Sequence, residues 1–144
     1  MDAKDQKIAI LGGTGFLGSH IVDKLKDREM DVDIPQRSEY DFRMKKDCLR
    51  YFEKVKPQIV INCTAFQGGI GFHSGKQADI FMDNILMGCY LLQSAQKFGV
   101  VKFVNIIPGC SYPGYLEKDE LNESDFWSGD VHDTIFSYGF SKKA

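Results

Sequence analysis

Tyr138 and Lys142 stand four residues apart in Tyr138-Gly139-Phe140-Ser141-Lys142, a spacing that places both on one face of a helix. An ammonium beside a phenol favours the phenolate and is expected to lower the tyrosine pKa toward working pH. A tyrosine so placed can pass a proton to or from a substrate oxygen while hydride moves to or from carbon. Any helical surface can show this pair by chance. It gains meaning from a second motif, Gly12-Gly13-Thr14-Gly15-Phe16-Leu17-Gly18, which lies roughly 120 residues upstream, a separation that suits the length of a domain.

The second motif is a phosphate loop. Lys7 to Leu11 is an apolar run that reads as a buried parallel strand. After the loop, Ile21, Val22 and Leu25 fall at helical spacing among charged residues. A strand, a glycine turn and a helix start are the setting in which such glycines bind a dinucleotide. Gly12 permits the tight turn, Gly15 lets the backbone approach the pyrophosphate, and Gly18 lets the helix pack on the strand. The helix start offers free N–H groups and the positive end of its dipole to the phosphates. The blander alternative is a glycine turn without a ligand.

The elements that must position these motifs alternate along the chain. Met30 to Ile34 reads as a weak strand closed by Pro35, 43–55 as an amphipathic helix, and Ile59 to Ile61 as a buried strand. Ala78 to Phe98 reads as the longest helix, ended by Gly99, followed by a strand over 100–107. Residues 108–134 read as an irregular loop before a last helix that carries Tyr138. Strands alternating with helices predict a Rossmann-like three-layer α/β/α fold with a doubly wound parallel sheet. Ligands of such sheets bind at the carboxyl ends of the strands. The polar, glycine-rich stretches 62–71 and 108–113 are therefore either ligand-facing or ordinary connecting loops.

The chain of 144 residues is long enough for one domain, 1–144, with a real core. Lys and Arg number 18 against 20 Asp and Glu, without a basic cluster, so no nucleic-acid partner is expected. A polar N-terminus and the lack of a membrane-length apolar run lead to the expectation of a cytoplasmic protein without a membrane partner. The cysteines Cys48, Cys63, Cys89 and Cys110 form no Cys-x-x-Cys pair, and His20, His73 and His132 lack ligand spacing. Reduced thiols and no metal site are expected.

On these motifs the chain resembles the extended short-chain dehydrogenase/reductase family of nucleotide-sugar enzymes, the NAD-dependent epimerase/dehydratase group. The matching stretches are Gly12 to His20, Arg37 to Phe42, Phe52 to Asn62, Gly68 to Ile70, Asn84, Cys110 to Pro113 and Tyr138 to Lys142. Its branch in GDP-fucose biosynthesis, 3,5-epimerase/4-reductases of GDP-4-keto-6-deoxy-mannose, is the nearest in kind. The resemblance covers the chain but only the family's N-terminal, cofactor-binding half, with the C-terminal substrate domain absent. It implies a GDP-linked nucleotide-sugar substrate, Tyr138 as proton donor for reduction, Lys142 as its partner and a ribose ligand, and Cys110 as the cysteine of the epimerisation step. Gly12, Gly13, Thr14, Gly15, Phe16, Leu17 and Gly18 would hold the cofactor, with Asp41 and Phe42 at the adenine and Ala65 along it. A homodimer through the 78–98 helix is implied too.

The pattern is also broken. Pro108 stands where the family has a Ser or Thr that hydrogen-bonds the substrate carbonyl, and proline has no side-chain donor. The family's catalytic histidine, which works with the cysteine, lies beyond its Tyr-x-x-x-Lys and is therefore not expected in this chain. Turnover by this chain alone is therefore not expected, and a non-catalytic dinucleotide-binding module is the alternative. Cofactor choice sets Asp33, placed to bind a ribose 2′-OH and select NAD, against Arg37, placed to accept the 2′-phosphate of NADP. The family's second phosphate-binding arginine is replaced by Thr14. The reading favours NADP, with NAD the alternative.

Overall fold

The structure is a computed structural model and describes residues 6–144. It divides into two compact units, one formed by the chain up to Ala65 with Met87–Ile106, the other by Phe66–Leu86 with Ile107–Ala144.

The first unit holds one parallel sheet. Its strands β1 (Ile8–Leu11), β2 (Val32–Asp33), β3 (Ile59–Asn62) and β4 (Lys102–Asn105) stand in the order β2-β1-β3-β4. All four residues of β1 are buried, as a central strand covered on both faces requires. Alternation decides which face each side chain joins. Ile8 and Ile10 cluster with Val22 of α1 (Phe16–Lys26). Ala9 and Leu11 cluster with Cys48, Tyr51 and Phe52 of α2 (Lys45–Val55) and with Met87, Leu91 and Ala95. Those last three belong to α4 (Gln77–Lys97), which follows the short α3 (Ile70–Gly75). Helix, sheet and helix make the three layers of a Rossmann-like α/β fold.

Two strands are shorter than their apolar runs. A ladder is only as long as its partner, and β3 pairs its four residues one for one with Lys102–Asn105. Before that, the Val101 and Lys102 amides both donate to Gln58 O, at 2.8 and 3.2 Å, and the Val101 side chain is exposed. β2 is confined between a turn with Glu29 at φ 58° and Pro35. α4 stops where Gly99 takes φ 72°, the left-handed C-cap that the sequence foretold.

The second unit is built from α3, residues 77–86, three 3₁₀ turns and α5 (Phe136–Lys143). The 3₁₀ turns cover Gly109–Ser111, Glu123–Asp125 and Asp133–Ile135, so the stretch read as irregular carries local order. An antiparallel bridge ties Pro113 to Val131. Asp125 caps its own turn, accepting from the Asn122 amide at 3.0 Å and from Lys118 Nζ at 2.6 Å. α3 begins at the end of the glycine-rich stretch 62–71 and runs beyond it, where the sequence assigns no element. Its six residues include Gly71 and Gly75, too short and too glycine-rich to show a helical period. Among the described residues no helix is long and apolar enough to cross a membrane.

Candidate functional site

The strand order reverses at β1, with β2 on one side and β3 on the other. The carboxyl ends of β1 and β3 lie side by side, Leu11 opposite Asn62, at the switch point where open parallel sheets take ligands. Gly12 follows Leu11 with φ 77°, and a Cβ there would meet the Cys63 carbonyl carbon and oxygen at 3.0 Å. Asn62 shapes the facing loop: Oδ1 accepts from Thr64 N at 3.1 Å and Thr64 Oγ1 at 2.6 Å. Its Nδ2 donates to Asn105 Oδ1 at 2.8 Å, anchoring that turn to the next strand.

The remaining glycines divide by what surrounds them. A Cβ on Gly18 would lie 2.1 Å from Gly12 O, so α1 is pressed onto the turn. A Cβ on the buried Gly13 would reach Ile34 Cγ2 at 2.7 Å; the sequence carried no steric role for it. Gly15 is different, since its Cβ would meet only Gly12 O, at 3.3 Å. It serves as N-cap of α1 without a side-chain cap, and Thr14, Phe16 and Leu17 around it are exposed. An uncapped helix start behind a bare backbone fits a diphosphate: orphan N–H groups, the dipole's positive end and no side chain in the way.

The other candidates of this unit lie at the ends of β2 and β3. Asp33 Oδ1 accepts a 2.7 Å hydrogen bond from the Tyr51 hydroxyl. Burial and then this carboxylate push the Tyr51 phenol far above its ordinary range. Arg37 is exposed. Asp41 is held by Arg43, whose Nε reaches Oδ1 at 2.9 Å and Nη2 reaches Oδ2 at 2.6 Å. These hydrogen bonds hold the Asp41 carboxyl below the usual carboxylate range against the opposing effect of burial, with Arg37 adding a smaller pull. The Phe42 ring is a core group, stacked on Tyr40 and edge-on to Tyr51, while its carbonyl accepts from Cys48 Sγ at 3.3 Å. Ala65 is exposed, just past the Asn62–Thr64 turn.

Tyr138, Lys142 and Cys110 lie together in the second unit. α5 is pressed onto the Gly109–Ser111 turn: a Cβ on Gly139 would lie 2.5 Å from Cys110 O and 2.4 Å from Val131 Cγ1. This packing brings Cys110 beside Tyr138. Burial pushes the Cys110 thiol up. The Tyr138 phenol is also pushed up, by burial first and then by Cys110. That corrects the expectation of a lowered tyrosine: desolvation of the phenolate outweighs any help from a lysine one turn away. Pro108, at φ −76° and ψ 154°, precedes the turn and accepts from Ser111 N at 2.9 Å. It offers no donor.

Two residues of this unit gain roles that the sequence had not given them. Asn84 brackets the Phe66 main chain, accepting from its N at 2.9 Å and donating to its O at 2.8 Å. Its type and place in the resemblance were visible, but not its clamp. His73, buried on α3, stacks edge-on with Tyr138 at 5.9 Å between ring centroids. Nothing in its spacing marks it, because the six-residue helix that presents it shows no helical period in the sequence.

Comparison with known proteins places these features. The chain is 26% identical over 139 residues to GDP-L-fucose synthase of Dictyostelium discoideum, covering 94% of this chain and 43% of that protein. It is 28% identical over 156 residues to GDP-mannose 3,5-epimerase 1 of Oryza sativa subsp. indica, covering 96% of this chain and 40% of the relative. The crystal structure of a GDP-L-fucose synthetase from Naegleria fowleri bound to NADP superposes with a TM-score of 0.88 at 25% identity, over 99% of this chain and 43% of that one. The chain thus spans about two fifths of the length of these relatives. Residues 8–144 match the NAD dependent epimerase/dehydratase family, and the chain belongs to it.

Proposed function

We propose that this chain is the cofactor-binding and proton-donating portion of a nucleotide-sugar oxidoreductase or epimerase, of the GDP-4-keto-6-deoxy-mannose 3,5-epimerase/4-reductase type. The observation that carries the reading is the loop itself. Gly12 and Gly18 are locked against each other, while a Cβ on the exposed Gly15 would meet only Gly12 O, at 3.3 Å, beside an uncapped helix start. The GDP-sugar names of the relatives support the substrate class.

The N–H groups at Phe16 and Leu17 and the bare backbone of Gly15 would hold the pyrophosphate. When bound, the nicotinamide cofactor supplies or takes up a hydride. Tyr138 keeps its proton at neutral pH, because burial and Cys110 raise it, and a protonated phenol is the form that donates to a substrate oxygen during reduction. Lys142 is its helical neighbour and the ribose ligand. Cys110, also held as the thiol at neutral pH, would serve proton transfer at carbon in epimerisation. NADP is the favoured cofactor: Arg37 is exposed past β2, and Asp33 already has a hydrogen bond from Tyr51. NAD is the alternative. Self-association through the 78–98 helix accords with the exposed Met82 and Leu92, and sedimentation analysis tests it.

Pro108 supports a second reading, a non-catalytic dinucleotide-binding module. One missing donor to a substrate carbonyl commonly costs about 3 kcal/mol, roughly a hundredfold in rate. The test is NADPH oxidation with GDP-4-keto-6-deoxy-mannose, comparing wild type with Tyr138→Phe. No or very slow reduction by the chain alone is expected. A robust rate that vanishes in the variant would overturn the module reading. Calorimetric titration with NADPH and NADH ranks the cofactors, and absence of heat for both would remove the dinucleotide reading itself.

A further inference from the structure

His73 is a buried polar side chain that the mechanism above does not use. It is 5% exposed, and its Nδ1 is buried without a hydrogen-bond partner. Its ring meets the Tyr138 ring with centroids 5.9 Å apart and planes at 66°. A second orphan of the same unit, Ser111 Oγ, belongs to the residue after Cys110. An unsatisfied buried donor or acceptor costs about 1–3 kcal/mol, and a native fold keeps one where something else completes it. Here two stand on the elements packed around one tyrosine: α3, whose His73 ring meets Tyr138, and the Gly109–Ser111 turn on which α5 is pressed.

We propose that His73 is a positioning residue for Tyr138: its ring fixes the phenol from the side, and its Nδ1 takes a polar guest in the Tyr138 cluster. In the free protein the guest is a water; in the complex it is a hydroxyl of the substrate whose oxygen Tyr138 protonates. The chemistry is that of a polyol, because a buried imidazole nitrogen pairs with a neutral hydroxyl at no cost in charge. The substrate half of this inference rests on the nucleotide-sugar reading; the positioning half does not.

The test uses the full chain without substrate, labelled with ¹³Cζ-tyrosine and ¹⁵N-histidine, and compares wild type, His73→Phe and His73→Asn by NMR. Titratable groups on α5 and on the elements packed against it include Lys142 and Lys143 of α5, Cys110, Asp133, and Asp79 and Asp83 of α4, whose Phe81 stacks on Phe140, and all three proteins keep them. The Tyr138 titration should move by about half a unit or more in His73→Phe, which keeps the ring and loses the nitrogen. It should stay close to wild type in His73→Asn, which returns a polar atom at the Nδ1 position. An unchanged Tyr138 titration in all three overturns the proposal. If the Phe variant does not fold, the wild-type histidine spectrum decides. A hydrogen-bonded Nδ1 at His73, distinct from the exposed His20, supports the proposal; a His73 ring with no hydrogen bond overturns it. Neither readout needs turnover, so a negative result here leaves the dinucleotide reading standing, and a failed cofactor titration leaves this one.

Discussion

The Tyr51 hydroxyl donates to Asp33 Oδ1 at 2.7 Å, joining the last residue of β2 to the fully buried aromatic ring at the centre of α2. Asp33 is the carboxylate that could select NAD, and its orientation is therefore set from the core. Tyr51→Phe keeps the ring packing against Tyr40, Phe42 and Phe52 and removes only the bond. A stability loss of about 1–2 kcal/mol is expected in chemical denaturation. With Asp33 released, the ratio of NADH to NADPH affinity should rise. A variant with unchanged stability and an unchanged ratio would show that the bond sets neither.

The glycines of the loop should separate fold from binding. Gly18→Ala forces a methyl against Gly12 O, where 2.1 Å is available, and both partners are backbone. A loss of about 3 kcal/mol or more is expected, with lowered thermal stability. Gly15→Val meets only Gly12 O, at a tight 3.3 Å that a small shift relieves, so its loss of thermal stability should be much smaller than that of Gly18→Ala. Dinucleotide binding should nonetheless vanish in calorimetry, because the side chain fills the approach to the pyrophosphate.

These two positions also mark what a linear reading can recover. Gly12, Gly15 and Gly18 are legible because a missing side chain at fixed spacing is itself the requirement. The apolar runs of β1 and β3 are legible because a strand covered on both faces must be apolar throughout. α3 was not, since six residues with two glycines carry no period. The direction of the Tyr138 shift was missed for a physical reason. Lys142 lies four residues along the sequence, whereas burial and, after it, the charge effect of Cys110, 28 residues away, raise the phenol, and both come from packing. His73 was missed on the same ground, because only packing brings it to Tyr138.

Asp41 and Arg43 predict an acid limb of stability. The Arg43 hydrogen bonds hold the folded Asp41 carboxyl below its ordinary value. Its contribution is therefore complete above the unfolded value, about pH 4, and is lost as pH falls through the lower folded value. Both side chains are about a third exposed, so salt should weaken the effect. Arg43→Leu should flatten denaturation midpoints measured from about pH 4.5 downward. An acid limb as steep as wild type would assign the acid loss to other carboxylates.

The thiols should react in an order set by burial. Cys89 is exposed, Cys110 is half-buried with its thiol pushed up, and Cys48 is buried with its thiol pushed up to about 12. The thiolate is the nucleophile, so near neutral pH iodoacetamide should label Cys89 first, Cys110 slowly and Cys48 only on unfolding. Raising the pH should accelerate Cys110 while the fold persists, because its thiolate fraction is still small at neutral pH. Peptide mapping by mass spectrometry reads the order. Labelling of Cys110 ahead of Cys89 would mean that its thiol is activated rather than suppressed.

Pro108 is the most direct test of chemistry. Its φ of −76° and ψ of 154° suit serine equally well, and its carbonyl, not its ring, carries the 2.9 Å bond from Ser111 N. Pro108→Ser should therefore preserve the turn and cost only the entropy that proline removes from the unfolded chain, about 0.5–1 kcal/mol. It also restores a hydroxyl just before the turn that bears Cys110, on which the helix of Tyr138 is pressed. A second donor to a substrate carbonyl is worth roughly a hundredfold in rate. NADPH oxidation with GDP-4-keto-6-deoxy-mannose should then rise above the wild-type background, and Tyr138→Phe in the same variant should abolish the gain. If Pro108→Ser folds, binds NADPH and remains as slow as wild type, the missing donor is not what limits this chain, and the binding-module reading gains ground over the enzymatic one.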